Sequence, residues 1–245
     1  MIGALRLLFC ASGAVMRSAL LVLCTGQAVF AQEITAATYQ GPTTRYAHAV
    51  LGDAVEYGAL AVTLSSGQTR RFKLPVTSVF EDVAPRVIDL DGDGAAEVIT
   101  VESDQSLGAR LAIYGPTGLI TATPYIGTRF RWLAPLGAAD LDGDGVVELA
   151  YVDRPHLAKT LRIWRYQDQT LVPLLSAPGF TNHRIGEADI AGGIRVCDGK
   201  AEMILATANW SSLVALQVKD DALTQRVLGS DTTRAAFAKA MVCVE

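Results

Sequence analysis

With 25 acidic against 21 basic side chains and a net charge of −4, this 245-residue chain is a poor candidate for nucleic acid and a reasonable one for a bound cation. Half of its residues (50 %) are hydrophobic, but the apolar run near its start is too short for a stable membrane span. It carries no Gly-x-Ser-x-Gly elbow, His-Glu-x-x-His pair or phosphate-binding glycine loop, so the commonest hydrolase, zinc-protease and nucleotide signatures are missing.

The first 31 residues read as a secretory signal peptide. Arg17 precedes the apolar run Ser18–Leu23, and Val29-Phe30-Ala31 ends in a small residue ahead of Gln32, which sets cleavage after Ala31. Met16 is an alternative start, and a lipid anchor at Cys24 is the rival reading, opposed by bulky Leu23 where that signal needs a small residue. The mature chain, residues 32–245, suits one all-β domain in the periplasm or outside the cell, with no stable membrane insertion after cleavage.

A repeat of about fifty residues organises the rest. Leu60–Leu64 has counterparts in Leu111–Tyr114, Leu161–Trp164 and Leu213–Leu216. A turn and a second β-like run follow each: Arg71–Leu74, Leu119–Ala122, Leu171–Leu174 and Leu223–Leu228. Upstream lie Ala47–Val50, Val98–Val101, Leu149–Val152 and Met203–Ala206, and ahead of the last three come Pro85–Ile88, Ala134–Gly137 and Arg184–Glu187. These runs predict four-stranded units at about 46–75, 83–123, 132–175 and 183–228. The expected architecture is a β-propeller of about four blades, five if residues 33–45 build another. The first unit lacks an opening strand, and residues 236–244 are expected to supply it, closing the ring and removing two exposed sheet edges.

Two units share nearly one loop, Asp89-Leu90-Asp91-Gly92-Asp93-Gly94-Ala95-Ala96-Glu97 and Asp140-Leu141-Asp142-Gly143-Asp144-Gly145-Val146-Val147-Glu148. Four carboxylates in nine residues repel one another unless a counter-charge sits among them. Calcium takes six to eight oxygens, and alternating aspartates on a glycine-containing loop can aim several at one centre. The candidate ligands are Asp89, Asp91, Asp93, the Ala95 carbonyl and Glu97 for one ion, and Asp140, Asp142, Asp144, the Val146 carbonyl and Glu148 for a second. An EF-hand needs a Glu at its twelfth position, where Thr100 and Tyr151 stand here, and helical flanks in place of β-rich ones.

The acidic ninth position resembles instead the calcium loops of FG-GAP repeats, found in integrin α-subunit propellers and bacterial VCBS-repeat proteins. That resemblance implies two Ca²⁺ ions holding blades in register, and a role in adhesion or partner binding. A third copy, from Asp189 to Glu202, lacks one carboxylate and gains Arg195 and Lys200, so it is expected to bind no metal.

Cys197 in that third loop and Cys243 in the expected closing strand belong to neighbouring blades of a closed ring, which predicts a disulfide, with free buried thiols as the alternative. His48, His156 and His183 fall in different units without ligand spacing and read as packing or surface residues, and Trp132, Trp164 and Trp210 read as blade packing. The sequence therefore favours a calcium-binding module for an unidentified protein or glycan partner over an enzyme. The competing expectation is a calcium-stabilised polysaccharide hydrolase or lyase with carboxylates at the propeller channel, Glu187 and Asp189 being the first candidates.

Overall fold

The computed structural model describes residues 32–244. The expected leader, residues 1–31, lies outside the described residues. Among those described, no helix is long and apolar enough to cross a membrane.

The described residues are all-β apart from one short helix. Its strands are β1 (Ile34–Thr43), β2 (Glu56–Leu64), β3 (Thr69–Lys73), β4 (Ser78–Phe80), β5 (Arg86–Ile88), β6 (Glu97–Asp104), β7 (Gly108–Gly115), β8 (Gly118–Ala122), β9 (Leu133–Ala139), β10 (Glu148–Asp153), β11 (Thr160–Gln167), β12 (Thr170–Pro178), β13 (Phe180–Thr181), β14 (Gly193–Cys197), β15 (Lys200–Thr207), β16 (Leu213–Lys219) and β17 (Ala222–Gly229). The helix is α1 (Arg234–Met241).

The repeat survives as three antiparallel four-stranded units, β5–β6–β7–β8, β9–β10–β11–β12 and β14–β15–β16–β17. In each, the second strand is buried along most of its length: Glu97–Ser103 in β6, all of β10, and Glu202–Ala206 in β15. Burial on both faces explains the nearly unbroken apolar runs that marked these strands in sequence. The outer strands alternate instead, as Thr69–Lys73 does, because one of their faces meets water.

Several expectations are corrected. Residues 47–50 form no strand. Ala49 lies at φ +54° and Gly52 at φ +93°, and the segment turns over the surface. The neighbour of β2 is β1, in register from Thr43↔Glu56 to Ile34↔Leu64, so residues 34–43 complete the first unit and found no further blade. Nor is that unit separate from the second. Strand β4 pairs with β2 through Tyr57↔Phe80 and with β6 through Ser78↔Asp104, Val79↔Ser103 and Phe80↔Glu102, joining both units into one eight-stranded sheet.

Arg184–Glu187 is not the opening strand of the last unit. That strand is β14, paired with β15 across the two-residue turn Asp198-Gly199. Both turn residues have positive φ, +51° and +73°, the backbone that an Asp-Gly hairpin turn requires.

The expected closing strand is absent. Residues 234–241 form α1, capped by Thr233, whose hydroxyl accepts the Ala236 amide. Arginine, alanine, lysine and methionine are strong helix formers, and this local preference outweighs the alternation that suggested a strand. Phe237 and Ala240, three apart on one helical face, are buried against Ala191, Ile204 and Ala215 of the last unit. The first and last units meet through loops: the Val50 carbonyl accepts the Gly186 amide at 3.1 Å.

Candidate metal centre

The first acidic loop joins β5 to β6 and the second joins β9 to β10. Each is wound by its own carboxylates. Asp89 accepts the Gly92 amide at 2.8 Å and the Gly94 amide at 3.0 Å, and Asp140 accepts those of Gly143 at 2.7 Å and Gly145 at 3.0 Å. Gly92, Gly94, Gly143 and Gly145 all lie between φ +74° and +88°, a conformation a side chain would strain. Buried Glu97 reaches back to the Leu90 amide at 3.0 Å, as Glu148 does to the Leu141 amide at 2.9 Å.

This winding brings one oxygen from each of Asp89, Asp91 and Glu97 within 4.8 Å of the others, and does the same for Asp140, Asp142 and Glu148. Two ligands about 2.3–2.6 Å from one calcium can lie at most about 5 Å apart, so both triads are of the right size. Asp93 and Asp144 stand outside the triads and accept the Ala95 amide at 2.7 Å and the Val146 amide at 2.8 Å.

The charge environments of the two loops differ. Among the described residues, no lysine, arginine or histidine pairs with Asp89, Asp91, Asp93 or Glu97. Burial, together with the neighbouring Asp91, Asp93 and Asp89 charges, pushes the Glu97 carboxyl up to about 7, against the lowering pull of the Leu90 amide. Tyr166 of β11 packs beside this loop with its hydroxyl buried and without a hydrogen-bond partner. Burial and the Glu97, Asp91 and Asp93 charges raise that phenol to about 12. An orphaned buried hydroxyl facing unneutralised carboxylates is what a missing ion and its bound water would leave behind. The first loop's donors therefore fit a hard divalent cation.

In the second loop the Arg165 guanidinium already lies among the carboxylates. Its Nη2 is 2.5 Å from Asp142 and 3.0 Å from Asp144, and its Nε donates to Glu148 at 2.9 Å. Burial raises the Glu148 carboxyl, while the Leu141 amide and Arg165 oppose the rise. In the third copy Arg195 donates to Glu202 at 2.5 Å, and Arg226 and Gln217 approach it at 3.1 and 3.2 Å.

Cys197 and Cys243 are disulfide-bonded, 46 residues apart. Glu187 and Asp189, the candidate acid–base pair, are both held by Arg234 at the start of α1, with Asp189 at 2.9 Å.

Sequence spacing missed the meeting of the three histidines. His48 donates through Nδ1 to buried Glu81 at 2.6 Å, His156 and His183 are linked by a 3.0 Å ring-to-ring hydrogen bond, and Trp132 packs edge-on against His183. Burial, followed by the charge of His183, lowers His156 to about 4, so its ring is neutral at pH 7. A cavity of about 240 Å³ is lined by His48, Phe130, Trp132, Arg154 and His156 among others. Partners 27 and 33 residues apart, on different units, leave no local pattern to read. Trp132 is buried as the packing reading expects, its indole N–H donating to the Glu81 carbonyl at 2.8 Å.

Comparison with known proteins bears on the acidic loops. No curated protein matches the chain. Among solved structures, the rhamnogalacturonan lyase YesW is similar at 17 % identity with a TM-score of 0.41, over 73 % of this chain and 43 % of that one. The chain thus spans less than half the length of that structure. The FG-GAP-like repeat family matches residues 80–151, a span that holds both acidic loops and the Arg86, Glu97 and Glu148 strand ends around them. Over that segment the chain is similar to FG-GAP-like repeats.

Proposed function

We propose that the protein is an exported, calcium-stabilised binding module, its repeat units serving as a scaffold for a protein or glycan partner. The observation that carries the reading is the Asp89–Asp91–Glu97 triad, within 4.8 Å, without a protein cation among the described residues and beside the orphaned Tyr166 hydroxyl. Those three carboxylates would hold the ion, with Asp93 and the Ala95 carbonyl as further oxygens. A divalent cation supplies charge neutralisation there and ties the start of β6 to the end of β5. The histidine- and aromatic-lined cavity is where a partner's ring or side chain would sit, since concave sites with a few convergent polar groups favour ligands. Glu187 and Asp189, the carboxylates of the alternative polysaccharide hydrolase or lyase reading, are both ion-paired with Arg234.

Calcium titration by isothermal calorimetry tests the proposal. Asp91→Asn is the informative variant, because the Asp91 carboxylate accepts only the Asp93 amide in this loop, so the backbone winding by Asp89 is left intact. Wild type should bind calcium and Asp91→Asn should lose at least tenfold in affinity at the first loop. Calcium binding of equal strength in both would overturn the assignment.

A further inference from the structure

Three copies of one loop carry increasing numbers of arginines at the position a cation would take. The first has none among the described residues, the second has Arg165, and the third has Arg195 and Arg226 on Glu202. We infer that Arg165 is a built-in counter-ion that replaces calcium in the second loop, so that the folded chain takes one calcium ion, at the first loop, and not two. The inference rests on the calcium reading of the first loop but is tested separately from it.

Register explains how the replacement arises. Glu148 faces Arg165 across the β10–β11 ladder, so the guanidinium stems from the strand position directly opposite the loop's closing carboxylate. In the preceding unit Val98 faces Tyr114, which leaves Gly115, a residue without a side chain, as the next position along beside Glu97. The arginine is therefore supplied by one unit and withheld by the other at the same point of the repeat.

A guanidinium fits where it lies. It is planar, permanently charged, and offers five donors, of which Nε and Nη2 reach three different carboxylates here. Its side chain is only 22 % exposed, so little water competes for those bonds. A calcium ion entering the same triad must first break all three contacts and find room for the displaced cation, and opposed positive charges close together repel strongly. The first loop presents the reverse: carboxylates lacking a counter-charge and a buried hydroxyl lacking a partner.

Counting bound calcium by native mass spectrometry, on the folded chain and four variants, decides the matter. Wild type should carry one ion, lost in Asp91→Asn and retained in Asp142→Asn, and Arg165→Gln should carry two. A wild type with two ions, or with one ion lost in Asp142→Asn and retained in Asp91→Asn, would overturn the inference. A wild type with none overturns the calcium reading of the first loop. In that case Arg165→Gln still judges this inference: one ion gained, and lost again in the Arg165→Gln/Asp142→Asn double variant, supports it, and none gained sinks it. Should Arg165→Gln fail to fold, as a melt would reveal, the Asp91→Asn and Asp142→Asn counts decide alone.

Discussion

Glu56 is the first residue of β2, 3 % exposed, and no cation pairs with it among the described residues. Around it stand Glu81, bonded to His48 and Ser103, and Asp82, held by Arg86 at 2.8 Å and by the Tyr39 hydroxyl at 3.0 Å. Those two carboxylates have partners and Glu56 has not. Burial first, and then the charges of Glu81, Asp53 and Asp82, push its carboxyl up to about 9. Between about pH 4.5 and 9 the folded state therefore binds a proton that the unfolded chain has released, and stability falls as pH rises through that window. Glu56→Gln removes the titration while keeping the shape. The variant should match wild type near pH 4.5 and exceed it by roughly 1–3 kcal/mol at pH 9, read by urea melts across pH. A stability difference that stays flat with pH would refute the assignment. No periodicity marks such a residue in sequence, because its strain comes from neighbours brought in from other strands.

At the scale of elements, legibility followed the distance over which a feature is determined. The buried runs Val98–Val101, Leu149–Val152 and Met203–Ala206 lie within β6, β10 and β15, because a strand buried on both faces advertises itself by composition. The acidic loops are equally local, each wound by aspartates onto its own glycine amides. Ala47–Val50 and Arg184–Glu187 depart from the repeat because positive-φ residues such as Ala49 and Gly186 turn the backbone there, while the Asp198-Gly199 turn makes β14 the opening strand of the last unit. Residues 236–243 show the competition most directly. The sequence reading sets Cys243 at the end of a closing strand, and the structure delivers it to Cys197 from the C-terminal end of α1. The bond spans 46 residues and pins a helix that buries only Phe237 and Ala240. Cys197→Ser with Cys243→Ser should then lower stability by about 2–4 kcal/mol, chiefly by freeing the unfolded chain. Hydrogen exchange should rise first in Arg234–Met241. Unchanged protection there would mean that the helix docks without the disulfide.

Across the whole molecule, the first two units share one sheet through β4, and the first acidic loop lies within it. The loop's neighbour on the other side is Tyr166, from the next unit's β11. An ion at Asp89, Asp91 and Glu97 would thus bear on the junction between two units, so its removal should be felt by the global transition rather than by the loop alone. A ligand that binds only the folded state at a hundredfold excess over its dissociation constant stabilises by about 2.7 kcal/mol. For a domain of this size each kcal/mol moves the midpoint by about 2–4 °C. Adding a chelator to calcium-loaded protein should therefore lower Tm by about 5–10 °C in the wild type and in Asp142→Asn, and leave Asp91→Asn unmoved. If Asp142→Asn were the insensitive variant, the ion would lie at the second loop and Arg165 would be its neighbour, not its replacement. If all three melted alike with and without chelator, the carboxylates of the first loop would have to be tolerated by water alone, and Glu97, drawn up to about 7, would titrate in the melt as pH crosses neutrality.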